Sequence, residues 1–156
     1  MTPDAPFDAE TDLCAISAPQ NECSMAFKQL MITFLKVQRQ LEEMLDPHGL
    51  VLSQFEALAK IGLKPGMIQQ ELVKHLLVTK GNVGALIDRL ESMGWVARRA
   101  DPSDRRANRL YLTPTGKVTI EGIIKKHRAF VIERFKSLST EQTVQLQSLL
   151  KTIEPE

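Results

Sequence analysis

The side chains with the plainest chemistry in this 156-residue chain are arginines. Five of them (Arg98, Arg99, Arg105, Arg106 and Arg109) crowd into residues 95–111 against only Asp101 and Asp104, a local charge of +3. Guanidinium groups at that density neutralise phosphates, fork onto carboxylates, or solvate a turn. Residues 1–27 are imbalanced the other way, with Asp4, Asp8, Glu10, Asp12 and Glu22 and no base. The formal net charge of +1 hides this separation, which allows a basic surface on a nearly neutral protein.

Other reactive groups are sparse. Cys14 and Cys23 lie nine apart with no histidine near them, and His48, His75 and His127 are scattered. That spacing suits neither a disulfide scaffold nor a zinc site. No nucleophile–base set, paired carboxylates or glycine-rich phosphate loop is present, so the chain reads as a non-enzyme without metal or cofactor. No apolar run approaches the ~18–20 residues of a membrane span. The acidic N-terminal stretch lacks the pattern of a secretion signal, and a reducing cytoplasm is expected.

The elements that must hold the arginines follow from periodicity. Residues 1–23 read as an acidic tail and 24–156 as a single domain, mainly α with a small β-hairpin. A helix is expected from Ser24, with Phe27, Leu30, Met31, Phe34, Leu35, Leu41 and Leu45 at spacings of three and four, stopping at Asp46-Pro47-His48-Gly49. Ser53-Gln54-Phe55-Glu56 reads as a capping box for a second helix that ends at Lys64-Pro65-Gly66. Two short helices follow, Gln69 to Leu76 and one capped by Thr79 and closed by Gly94, which together make a helix-turn-helix. The period then changes. Residues 95–99 and 108–112 form strands around a turn-rich basic tip. Thr113-Pro114 starts a long helix striped by Ile120, Ile124, His127, Val131, Phe135 and Leu138. A capping box at Ser139 to Gln142 opens the last helix.

A helix-turn-helix followed at once by a basic hairpin suits double-stranded DNA. One helix fits the major groove while arginines reach the adjacent minor groove. Thr79, Lys80, Asn82 and Ala85 stand at the exposed start of the reading helix. Asn82 can pair with adenine, Lys80 can meet guanine or phosphate, and Thr79 can hold a phosphate. Asp104, two residues before Arg106, can pair with it and leave Arg105 to probe the groove, although the two arginines could exchange roles. Gly81 and Gly84 each cost the reading helix roughly 1 kcal/mol. They are either harmless surface glycines or sites of close backbone approach to DNA.

These segments resemble the MarR family of regulators. The match runs through Gly49-Leu50 with Gln54-Phe55 and Leu58, Glu71-Leu72, and Thr79-x-x-Asn82-Val83-x-x-Leu86-Ile87-Asp88-Arg89-Leu90-Glu91-x-x-Gly94. It continues through Asp104-x-Arg106-x-x-x-Leu110-x-Leu112-Thr113-x-x-Gly116, and is dense from about 49 to 117. The resemblance implies a winged helix-turn-helix over 49–113, with Arg89 among the DNA contacts, flanked by dimerisation helices at 24–46 and 114–156. It also implies a transcription regulator, expected to be a repressor, whose DNA affinity answers to a small molecule or an oxidant. The chain departs from the family at Ala85, where relatives commonly carry a basic residue.

A homodimer on a palindromic operator is expected, because the first and last two helices carry apolar stripes that the reading lobe does not use. A lipophilic or aromatic-acid effector is expected near Met31, Phe34, Phe55 and His127, with Met44 and Phe130 as further lining. Each of these is equally a core residue at ordinary spacing, and His127 a core or interface histidine. Cys23, just before the first helix, offers the alternative of a thiol-based redox sensor. It lacks the tyrosines that back such a cysteine in peroxide-sensing relatives, since Tyr111 belongs to the wing.

Overall fold

The structure, a computed structural model, describes residues 21–76, 80–103 and 107–154, with side chains for all of these except 75 and 80–82. The chain divides into two units, one ending at Leu52 and one running from Ser53.

The first unit is built on helix α1, Glu22–Leu45. The Asn21 side chain caps it, accepting from the Ser24 N–H at 2.9 Å. The helix therefore starts two residues earlier than expected, and Cys23 sits exposed inside its first turn, not before it. The expected stop is real. A 3-10 turn over Asp46–His48 follows, and Leu50 N–H reaches back to Leu45 O across Gly49.

The second unit opens inside α2, Leu52–Leu63, whose first residue closes the first unit. Ser53 therefore lies in its first turn and is not the capping residue. Strand β1 is only Met67–Ile68, and α3 spans Gln69–His75. Glu71 reaches back from α3 to the Ile68 N–H and also meets Lys64 Nζ at 3.0 Å, which ties the turn between α2 and β1 to α3. Helix α4 is Lys80–Ser92, followed by β2, Val96–Ala100, and β3, Asn108–Leu112. The sheet is antiparallel in the order β1-β3-β2, with Met67 opposite Leu110 and Arg98 also opposite Leu110. The hairpin stands within a residue of expectation. The third strand was not anticipated.

Leu58, Ile61, Leu72, Ile87, Leu90, Leu110 and Ile123 are fully buried and form the core of this unit. Burial of that kind stabilises by about 1.5–3 kcal/mol per side chain. Helix α5, Pro114–Phe135, starts as the sequence implies: Thr113 Oγ1 accepts from the Gly116 N–H at 3.0 Å, with proline at the first helical position. Only its first half is buried, through Gly116, Ile120 and Ile123. The capping box of α6, Thr140–Thr152, is complete, with Ser139 Oγ accepting from Gln142 N–H and Gln142 Oε1 accepting from Ser139 N–H. Helix α6 buries no residue.

Candidate nucleic-acid interface

Helix α4 is amphipathic in the sense a reading helix needs. Val83, Leu86, Ile87 and Leu90 are buried, while Ala85, Asp88 and Arg89 are exposed. Lys80 and Asn82 belong to its first turn. Thr79 and the wing residues Asp104, Arg105 and Arg106 lie outside the described residues, as do the side chains of Lys80 and Asn82. Gly84 packs near α3: a methyl built there would sit 3.8 Å from Gln69 Nε2, an ordinary contact.

The far end of α4 is fastened to the start of α5. Gly94, at φ 72, takes the left-handed conformation, its N–H donates to Glu91 O, and Trp95 N–H donates to Leu90 O. These bonds close the helix with the pair of reverse hydrogen bonds that glycine permits there. Thr113 then bonds both freed carbonyls beyond the cap, Gly94 O through Oγ1 at 2.6 Å and Trp95 O through N–H at 3.0 Å. Gly116 completes the joint, because a Cβ there would collide with Trp95 O.

The three described arginines of the hairpin are not free cations. Arg98 Nη2 meets Asp88 Oδ1 and Nη1 meets Glu91 Oε2, both at 2.6 Å. Burial works against the charge on Arg98, but the hydrogen bonds to Asp88 and then Glu91 outweigh it and raise its pKa. Arg109 pairs with Asp101 at 2.8 Å and donates to Gly66 O at 3.1 Å. Arg99 lies over the Tyr111 ring, 4.8 Å from its centre. Arg98, Arg99 and Arg109 are therefore engaged within the protein, while Arg105 and Arg106 lie outside the described residues. Asp101, only 6% exposed, also accepts from the Ser103 N–H and hydroxyl. Among the described residues it is the buried carboxylate of the wing, and the sequence alone does not single it out.

Of the effector candidates, Met31 is half-buried and Phe34 exposed on α1, while Phe55 and half-buried His127 bring their rings to 5.2 Å in the second unit. A separate cavity of about 290 Å³ lies between α2, β3 and α5, lined by Leu58, Gly62, Tyr111, Leu112, Ile120 and Ile124, with Lys117 and Glu121 as charged members. Periodicity had no means of finding it, because its lining comes from three elements distant in sequence. Among the described residues no group of His, Cys, Asp or Glu is placed to hold a metal ion, and no helix is long and apolar enough to cross a membrane.

Comparison with known proteins agrees on one group. The model of the MarR family matches residues 50–107. The multiple antibiotic resistance protein MarR of Salmonella typhimurium is 31% identical over 121 residues, covering 77% of this chain and 84% of that protein. An uncharacterised HTH-type transcriptional regulator of Bacillus subtilis, YkoM, is 32% identical over 104 residues, covering 67% of this chain and 68% of that one. Among solved structures, a cysteine-to-serine mutant of MarR from Escherichia coli complexed with operator DNA superposes with a TM-score of 0.77 at 30% identity, covering 89% of this chain and all of that one.

Proposed function

This chain belongs to the MarR family and is a DNA-binding transcription regulator, and from that premise we propose that it acts as a homodimeric repressor on a palindromic operator, released by a small apolar effector. The observation that carries the reading is the joint at Gly94. Helix α4 passes into the hairpin within four residues and is bonded there to α5, so reading helix, wing and long helix make one connected device. Asn82 at the start of α4 is assigned to base edges, Thr79, Lys80 and Arg89 to phosphates or bases, and Arg105 and Arg106 to the minor groove. Asp104 is assigned to orient one of those arginines. Ala85 offers only a methyl group, which suits a thymine contact.

Dimerisation is supported by apolar residues that a single copy leaves in water. Ile132 on α5, Leu149 on α6 and Ile153 just past its end are 59–70% exposed, and Phe27 and Phe34 are more than half exposed on α1. A second copy covering them would set two reading helices about one helical turn (~34–36 Å) apart, or a multiple of it. For the effector, a lipophilic aromatic acid fits the Phe55 and His127 rings or the 290 Å³ cavity beside Lys117. A Cys23→Ser variant is expected to respond to it like the parent.

The test is binding to duplexes from the protein's own upstream region, compared with scrambled duplexes of equal length. Arg105→Ala and Arg106→Ala should weaken the selected duplex and flatten the salt dependence by about one slope unit per lost phosphate contact. A wild type without any preferred duplex, or two arginine variants indistinguishable from it, would refute the reading.

A further inference from the structure

Arg98 departs from its neighbours in how completely it is used. Its guanidinium forks between two carboxylates of α4, and its own backbone N–H donates to Glu91 Oε1 at 3.2 Å. Three bonds thus run from one residue of β2 to two side chains one helical turn apart. Arg98 sits opposite Leu110, so whatever holds it also holds β3. The covalent path from Glu91 to Arg98 runs through the turn at Met93 to Trp95, where Gly94 takes the left-handed conformation. Backbone bonds from Gly94 and Trp95 to Glu91 and Leu90 close that turn. The arginine bridge adds side-chain bonds from β2 to Asp88 and Glu91, which oppose rotation of the hairpin about the turn.

We propose that Arg98 is a positioning residue for operator recognition: by clamping Asp88 and Glu91 it fixes the angle of the wing to the reading helix, and it does not itself contact DNA. The proposal rests on the DNA-reading function above. Its physical interest is that two effects have opposite signs. Asp88 and Glu91 are negative charges on a helix that approaches a polyanion, so removing them should tighten binding to any DNA. Removing them also releases the clamp. A wing free to swing still finds phosphates but loses its register with the base contacts of α4. A phosphate-binding Arg98 predicts only the first effect, and a positioning Arg98 predicts that selectivity falls even as charge becomes more favourable.

The experiment compares the wild type with Asp88→Asn/Glu91→Gln, Arg98→Lys and Arg98→Met on the best-bound upstream duplex and its scrambled counterpart, over a range of salt. For the double variant, affinity for scrambled DNA should hold or rise while the ratio between the two duplexes falls about tenfold, the scale of one good base contact. Lysine keeps the charge but cannot fork, so Arg98→Lys should keep its salt slope and lose part of that ratio. An unchanged ratio in the double variant and in Arg98→Met overturns the proposal, leaving the bridge merely structural. An equal loss on both duplexes in Arg98→Met, with the slope lowered by about one, overturns it too and makes Arg98 a phosphate contact. If Arg98→Met does not fold, the isosteric double variant decides. A wild type that prefers no duplex defeats the functional reading itself, and the proposal with it.

Discussion

An arginine's partner decides whether it can touch a phosphate, and the partners in this wing are distant in sequence. Arg98 finds Asp88 ten residues back, and Arg109 finds Asp101 across the hairpin. The sequence showed the crowding of arginines but not these choices, because charge counts carry no direction. Spacing singled out Asp104, which lies outside the described residues, and gave no sign that Asp101 would be buried. Asp101→Ala should lower unfolding stability by about 1–3 kcal/mol, since it strips partners from Ser103 and Arg109 in a shielded place. The shift of the urea midpoint measures it. Asn82→Ala should cost ~1–3 kcal/mol on the preferred duplex and much less on a scrambled one. An equal loss on both would move Asn82 to the phosphate backbone.

Helices with long apolar stripes and written caps were legible as elements. Thr113-Pro114 and the Ser139 capping box start α5 and α6 where the residues say. Strand β1 was not legible, because two residues carry no alternation and their pairing with β3 spans more than forty positions. Helix α1 starts two residues before Ser24 because Asn21 caps it. Caps matter most on α6, which buries nothing and is short enough to be marginal by itself. Ser139→Ala should therefore cost about 1 kcal/mol, seen as faster amide exchange along α6. Its own backbone N–H and the Ser139 hydroxyl hold the Glu141 carboxyl below the usual range. A folded pKa below the unfolded one gives stability that is present above the unfolded value, about 4.3, and is lost as pH falls through the folded one. Protection of the α6 amides, taken relative to their intrinsic exchange rates, should fall in that acid window and stay level above it. On α4, Gly84→Ala should stabilise the helix by about 1 kcal/mol, since the added methyl meets only an ordinary contact. If DNA affinity falls while stability rises, the glycine serves a close approach to DNA.

For the whole molecule, the apolar stripes were legible but their destinations were not. Ile120 and Val131 belong to one stripe of α5, yet the first is buried and the second is 40% exposed. A pattern of spacing looks the same whether a residue is covered by its own chain or by another. Substitution separates the two. Ile132→Glu, at a site 70% exposed, should leave a single copy's stability within about 0.5 kcal/mol. Sedimentation should nevertheless show a monomer, and binding to the palindromic duplex should collapse. A dimer that persists would move the interface away from the distal half of α5.

The joint between α4 and α5 has an optical consequence. Trp95 is the chain's single tryptophan, and its backbone carries the bonds to Leu90 and Thr113 while its Cα packs against Gly116. The only indole chromophore therefore sits, half-buried, at the place where the reading helix hands over to the long helix. Unlabelled protein titrated with duplex DNA reports on that joint through its emission. A spectral shift that tracks the binding curve means the joint repacks when DNA is bound. Constant emission through saturation means that α4 and α5 travel as one rigid piece.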